Sequence, residues 1–430
     1  MRITVTPEPA VGPGDKYAQS CRSNIAIRQN GLMRSEFLTF SPPFLGDEER
    51  EEVMDTLRSD WITTGPKTKR FEREFAEFVS SPDAVAVFSC TDALQVALAA
   101  LGVGPGDAVF TTTMTFCSTV HVIEHLGARP ILVDVDRESL NLDPVGLRRA
   151  VEQVVSDGVL RARVIMPVHY SGRPCDMTAI DQIAAEFGLA IVEDAAHSLP
   201  ASVAGRTIGD PAAPDGVVRA TAFSFYATKN LATAEGGMLT GPEEFLAEAR
   251  LWSLHGMSRD AWARYGKGGS WFYEVVRPGF KCNMTDIQAS IGLHQLQKLP
   301  RFQTRRFEIV AEYRDQLGGV VQVELPAETK GMESAWHLFP IRLNLDQLAI
   351  DRATFISQLA ELNIGSSVHF IPVHTHPYYR DRYEFQPQDF PVAWNEYQRL
   401  VSLPLHPRLT KADVRDVTTA VREIIAASSR

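Results

Sequence analysis

The chain has 430 residues, 44% of them hydrophobic and 22% charged, with a formal net charge of -10 at pH 7. This composition excludes a fibrous or disordered polypeptide, and the acidic balance gives no support to a nucleic-acid or anionic-membrane role. Such a length exceeds one ordinary domain, so two packed units are expected.

Five cysteines (Cys21, Cys90, Cys117, Cys175 and Cys282) lie far apart with no C-x-x-C pair. That spacing fits reduced thiols in a cytoplasm, and neither a disulfide framework nor a structural zinc site. No apolar run reaches the length of a bilayer span, and the opening MRITVTPEPAVGPGDK lacks the charged start and apolar stretch of a secretory signal. A cytoplasmic protein with no metal, no membrane and no nucleic acid partner is expected.

Residues 1–36 are rich in Pro, Gly and Ser without periodicity, which predicts a disordered leader. A helical pattern starts near Asp47, a plausible N-cap, with acid enriched in the first turn. From Ala84 to about Thr240, short β-rich runs alternate with amphipathic helical ones. The strands are read at Val85–Phe88, Ala108–Thr111, Ile131–Val133, Val164–Val168, Leu189–Val192 and Thr221–Phe225. Helices are read at Asp92–Leu101, Asp143–Val154 and Met177–Phe187. The alternation predicts an α/β fold, a largely parallel sheet with helices on both faces, whose ligands gather at the carboxyl ends of the strands. A long helical stretch, Ala289–Leu317, then leads to a strand at His337–Leu343, a helix at Arg352–Leu362 and a closing helix from Thr410, which together suggest a smaller α+β unit.

The residues able to do chemistry sit where strands end. Ser89-Cys90-Thr91-Asp92 opens a helix, whose free amides suit an anion; a plain capping turn reads as well. Phe116 ends Thr111–Phe116, as a stacking ring or as core. Ile191–His197 puts Glu193 and Asp194 at the end of an apolar strand, where a carboxylate needs a cationic partner, either a protonated ring nitrogen or a Lys or Arg. Lys229 follows another strand, just before Glu235-Gly236-Gly237. In a closed pocket such an amine loses pKa and attacks aldehydes; on the surface it would be an ordinary solvated lysine.

Taken in order, T-T-G-P (Thr63–Pro66), S-C-T-D-A-L, T-T-M-T-F, P-V-H-Y (Pro167–Tyr170), E-D-A-A-H, F-S-F-x-x-x-K-N, E-G-G and G-F-K-C-N-M-T-D (Gly279–Asp286) resemble the DegT-like sugar aminotransferases. These are pyridoxal-phosphate enzymes of fold type I, and the resemblance runs from Phe37 to the last helix. Within the family, W-I-T-T-G-P-K, A-W-H-L-F (Ala335–Phe339) and V-H-F…H-T-H-P-Y-Y-R-D (Val368–Asp381) are most similar to the UDP-4-amino-4-deoxy-L-arabinose–oxoglutarate aminotransferase branch.

The resemblance implies a large cofactor-binding domain over 37–300, with a mostly parallel seven-stranded sheet between helices, and a small C-terminal α+β domain over 301–430. It implies pyridoxal 5'-phosphate bound to Lys229 as a Schiff base, with Lys229 also moving the proton. It places Asp194 on the ring nitrogen, Phe116 on one ring face and His197 beside the other. Thr91, Asp92 and Ser224 would hold the phosphate, and Asn283 would reach the cofactor of a second subunit, making a homodimer with shared sites. Thr64, His374 and His376 are placed near a nucleotide-linked keto sugar, whose C4 would receive nitrogen from glutamate, released as 2-oxoglutarate. The product would serve cell-surface polysaccharide or natural-product synthesis.

Three features depart from the family: the helix start, with Cys90 for a glycine or alanine and Asp92 for a small uncharged residue; the loop Asp210–Arg219; and a leader up to Leu32. The loop Asp210–Arg219 is longer and richer in proline than in close relatives. It either shapes access and substrate choice or does nothing. His121-Val-Ile-Glu124-His125 matches the H-x-x-E-H pattern of inverted zinc peptidases, a motif short enough to arise by chance. Gly102–Asp107 follows a helix and precedes a strand, the reverse of a dinucleotide loop, and is read as a turn. A non-catalytic or dehydratase-like relative is the alternative function; retention of Lys229 argues against both.

Overall fold

The structure, a computed structural model, describes residues 34–257, 272–328 and 331–430. Residues 1–33 of the expected leader lie outside the described residues.

In chain order, α1 (Asp47–Arg58) and α2 (Pro66–Phe78) precede β1 (Asp83–Val87), α3 (Cys90–Ala100), β2 (Asp107–Thr112), α4 (Ser118–His125), β3 (Arg129–Val133), α5 (Pro144–Asp157) and β4 (Arg161–Met166). Next come α6 (Met177–Phe187), β5 (Ala190–Asp194), the short pair β6 (Ser202–Val203) and β7 (Arg206–Thr207), then β8 (Arg219–Ser224), β9 (Gly237–Gly241) and α7 (Glu243–Ser253). The C-terminal part holds α8 (Asp286–Leu317), β10 (Val323–Glu324), β11 (Met332–Glu333), β12 (Phe339–Leu343), α9 (Arg352–Glu361), α10 (Pro377–Tyr383), α11 (Pro391–Arg399), β13 (Leu400–Leu403) and α12 (Lys411–Ser428).

Local chemistry sets the helix ends. Asp143 and Asp176 cap α5 and α6 through their carboxylates, and both helices stop at a glycine with positive φ, Gly158 and Gly188. Asp47 is not the N-cap expected of it: it is the first residue of α1, and the flanking Gly46 donates its amide to Glu49 (2.8 Å).

The large sheet has the order β1-β9-β8-β5-β4-β2-β3. All neighbours pair in parallel except β9, which runs against both β1 and β8. Both faces are buried. Along β8, Ala220 and Ala222 face the cluster containing Leu94 and Leu246, while Phe223 faces the cluster of Phe71, Phe75 and Leu293. Strand alternation thus serves two helical layers at once. A second sheet, β10-β12-β13, packs with α12 around Phe339, Ile341, Val417 and Val421.

Helix α8 belongs to both cores. Its Leu293, Leu296 and Leu299 pack with Phe71, and its Ile309, Tyr313 and Leu317 pack with Phe339. The 32 residues are continuous through Pro300, where the sequence suggested a domain boundary. We propose that the two units share this helix.

The loop before β8 is tied down at the amino end of that strand, the opposite end from Ser224. Arg219 donates to Ala212 O (2.6 Å) and pairs with Asp181 of α6. The length of β8, roughly 16 Å at 3.3 Å per residue, separates it from Ser224. Of the two roles open for Asp210–Arg219, shaping access loses its footing.

Gly292 faces the fully buried Phe71, and a Cβ there would lie 2.6 Å from the ring. Gly292→Leu is expected to cost about 1–3 kcal/mol, read as a lower denaturant midpoint with the m-value kept. An unchanged midpoint would show that α8 and α2 do not pack this closely.

Candidate active site

The carboxyl ends of β1, β2, β5 and β8 converge on a cavity of about 560 Å³. Thr91, Phe116, Asp194, His197, Ser224 and Lys229 all line it. Six side chains far apart in the chain therefore meet in one place.

The first wall is the start of α3. Ser89 is its N-cap, accepting from Asp92 N (3.1 Å) and donating to the Asp92 carboxylate (2.8 Å). The carboxylate is thereby spent on the cap and does not line the cavity, and burial raises the Asp92 pKa. Thr91 carries the side chain on this wall. Glu235-Gly236-Gly237 approaches so closely that a Cβ on Gly237 would lie 2.5 Å from the Ser89 carbonyl and 2.7 Å from Cys90 N. Only glycine allows β9 to run under the helix start.

The floor is Asp194, 5% exposed at the end of β5. Its Oδ2 accepts from Thr119 (2.8 Å) and its Oδ1 from the Ala196 amide (3.1 Å). Glu193 points to the other face, as strand alternation requires. There it accepts from His169 (2.7 Å) and pairs with Arg219 (3.2 Å). Glu193 is therefore not available to the cavity. Cys90, which sequence reading noted only as a departure, lies with its sulfur 3.9 Å from Asp194 Oδ1, and burial pushes its thiol well up.

Lys229 follows β8 in a turn, its amide donating to Tyr226 O (2.8 Å). Burial lowers its pKa to about 8, against the opposing pull of Cys90 and Asp194. A neutral amine at this position is a usable nucleophile.

Around this core stand rings. His197 lies parallel to Phe370 (centroids 5.6 Å, 16°) and beside His337 (4.4 Å), and Phe116 meets Phe370 at 6.2 Å. His337 is held from behind: its Nδ1 meets Asn230 Oδ1 (3.1 Å), and the buried Arg306 donates to Trp336 O (3.0 Å) and Leu405 O (2.8 Å). His369 meets Ser402 Oγ through Nδ1 (2.9 Å). Burial, and then the charge of Lys229, pushes His369 down to about 4; burial also keeps His197 and His337 well below their usual value. The three imidazoles are neutral at pH 7. Lys229 is the one cation among the described lining residues, facing Asp194 and Glu235.

Other expected site residues are placed elsewhere. His374 is fully buried, its Nδ1 on Thr113 Oγ1 (2.6 Å) and its ring against Phe390, and it does not reach the cavity. His376 flanks α10 and does not line the cavity either. Asn283 bridges Val87 and donates to Thr64 (2.5 Å), so these two are together but outside this subunit's cavity. The sequence motifs A-W-H-L-F and V-H-F did contain the missed residues, His337 and His369, yet the resemblance pointed to His374 and His376. In the H-x-x-E-H segment, Glu124 is spent on Tyr378, Tyr383 and Arg382.

The model of the DegT/DnrJ/EryC1/StrS aminotransferase family matches residues 43–422. The chain is 48% identical over 394 residues to the spore coat polysaccharide biosynthesis protein SpsC of Bacillus subtilis, covering 91% of this chain and 98% of that one. Among solved structures, the putative sugar aminotransferase Spr1654 from Streptococcus pneumoniae in its PMP form superposes with a TM-score of 0.82 at 34% identity, covering 90% of this chain and 99% of that one. DesV from S. venezuelae, in complex with a ketimine intermediate, gives a TM-score of 0.78 at 32% identity, with 90% of this chain and 99% of that one covered.

Pyridoxal phosphate fits the residues present. The cavity offers an amine with lowered pKa, a buried carboxylate for a ring N–H, a helix start for a phosphate, and a buried His197 Nδ1 that no group among the described residues satisfies.

The lowered Lys229 pKa sets a pH dependence. The neutral amine dominates above about 8 instead of above 10.5, so at pH 7 roughly a tenth is reactive, against well under a thousandth for a surface lysine. Imine formation between cofactor-free protein and a small aldehyde, followed at Lys229, should therefore rise with pH to a midpoint near 8. A midpoint near 10.5 would show that the cavity does not lower it.

Proposed function

The chain belongs to the DegT/DnrJ/EryC1/StrS aminotransferase family, and on that premise we propose that it moves an amino group from glutamate to C4 of a nucleotide-linked keto sugar. It is a pyridoxal-phosphate-dependent sugar aminotransferase. The observation that carries the reading is the meeting of Lys229 and Asp194 in one buried cavity.

When bound, the cofactor supplies a carbonyl that takes up amines and a pyridinium ring that absorbs carbanion charge. The protein supplies the rest. Lys229 Nζ holds the cofactor, and then takes and returns the proton at the substrate's amine-bearing carbon. Asp194 accepts the ring N–H and favours its protonated form. Thr91, Ser224 and the amides opening α3 hold the phosphate. Phe116 and His197 confine the ring and exclude water from the proton-transfer path. The neutral His369, exposed to the cavity through its ring, faces the sugar in place of His374.

A second copy completes the site. With Lys229 the one cation on the described lining, phosphate charge needs counter-charge from beyond that lining, which we assign to a second copy. Asn283 and Thr64 lie outside their own cavity, and Phe88, Phe116 and Tyr226 expose large apolar surface around it. We assign Asn283 and Thr64 to the neighbour's site and the active unit to a homodimer. The sugar's C4 keto group, its nucleotide and 2-oxoglutarate as co-product rest on the motif resemblance to the UDP-4-amino-4-deoxy-L-arabinose branch. A polysaccharide role rests on the SpsC likeness. No helix among the described residues is long and apolar enough to cross a membrane, and action in the cytoplasm is part of the proposal.

Lys229→Ala should lower transamination of a keto nucleotide-sugar panel by several powers of ten, measured in single turnover; near-normal rates would sink the assignment. Mixing Lys229→Ala with Asn283→Trp should restore roughly a quarter of wild-type activity, because each heterodimer then keeps one intact site. Verified subunit exchange without recovery would return Asn283 to its own subunit.

A further inference from the structure

The buried carboxylate on which the site turns is not held by a charged neighbour. Asp194 Oδ2 accepts from Thr119 Oγ1 at 2.8 Å, and Thr119 Oγ1 lies 2.8 Å from Thr115 Oγ1. Thr119 is fully buried and Thr115 is 2% exposed. The remaining contacts to Asp194 are the Ala196 amide on Oδ1 (3.1 Å) and the Cys90 sulfur (3.9 Å).

The proton directions in this chain are forced. An ionised carboxylate only accepts, so Thr119 must give it its single O–H proton. Thr119 can then meet Thr115 only as acceptor, and Thr115 must donate. The two hydroxyls thus point one way, Thr115 to Thr119 to Asp194, and each, being buried, polarises the next. Thr115 and Thr119 bracket Phe116 at the turn into α4, so the relay joins the segment carrying that ring to the end of β5.

We propose that Thr119, oriented by Thr115, is a positioning residue that fixes the Asp194 carboxylate toward the bound ring and toward Lys229. The proposal rests on the pyridoxal-phosphate reading for its catalytic consequence, though not for the geometry itself. Nothing else donates from a side-chain hydroxyl or amine to Oδ2 among the described residues. Without Thr119 the carboxylate can turn about its own side chain.

Two readouts test it. The first uses cofactor-free protein. Lys229 shares the cavity there with Cys90, Asp194 and Glu235 and with the neutral His197, His337 and His369. In Thr119→Val the carboxylate leaves its place, its field at Lys229 weakens, and the pH midpoint of imine formation with a small aldehyde should fall by about half a unit. The second uses the loaded enzyme. The glutamate half-reaction of Thr119→Val should slow on the order of tenfold, at little change in glutamate affinity. Thr119→Ser, which keeps the hydroxyl and loses the methyl, should restore both to within about twofold or a tenth of a unit. Thr115→Val should move both the same way by less. Wild-type values in Thr119→Val overturn the proposal, and so does a Thr119→Ser as impaired as the valine, since packing would then be the cause. If the wild-type enzyme transaminated nothing, the functional reading would fall, while the cofactor-free midpoint would still decide on the relay.

Discussion

A carboxylate that is 5% exposed has to be matched by positive charge or by donors, and Asp194 is placed where both are supplied in turn. Among the described residues it meets three neutral donors, the Thr119 hydroxyl, the Ala196 amide and the Cys90 thiol, one amine of lowered pKa and no arginine. That leaves an acceptor able to serve a cationic ring nitrogen, and a cavity whose other polar groups are held neutral by burial. The same low dielectric that makes Lys229 reactive keeps His197, His337 and His369 uncharged.

The fold exists around this point in a concrete sense. Alternation along β5 sends Glu193 to His169 and Arg219 on one face and Asp194 to the cavity on the other. Adjacent acids thus take separate work, one tying the sheet to α6 through Arg219 and Asp181, the other serving chemistry. The antiparallel β9 brings Gly237 against the start of α3, which a side chain would prevent. Helix α8 then carries the order of the large sheet into the C-terminal unit, where Arg306 holds the backbone beside His337.

Where the sequence reading went astray, the cause is of one kind. Asp92 sits at a helix start, and no pattern says whether its carboxylate turns to an incoming anion or back to Ser89; the cap wins because Ser89 lies within hydrogen-bond reach on both sides. His374 and His376 stand in a motif that marks the right segment. Yet the packing of Phe390 and Thr113 closes over His374, and a hydrogen bond to Ser402 of β13 holds His369 at the cavity instead. The boundary at 300 follows a change of pattern, but a helix with apolar residues for two cores shows no such break.

The sequence by itself determined the α/β class, six of the seven strands of the large sheet to within a few residues, and the strand-end positions of Lys229, Asp194 and Phe116. Those follow from local periodicity and from motifs short enough to be read within one segment. The tertiary structure alone decided which strand ends share a cavity, which of two neighbouring acids faces it, and which histidines border it. These depend on strand order and packing across more than a hundred residues, as in Thr64 with Asn283 or His197 with His337 and Phe370. Burial, and with it the charge state of every group in the site, is a property of that arrangement and has no counterpart in the order of residues.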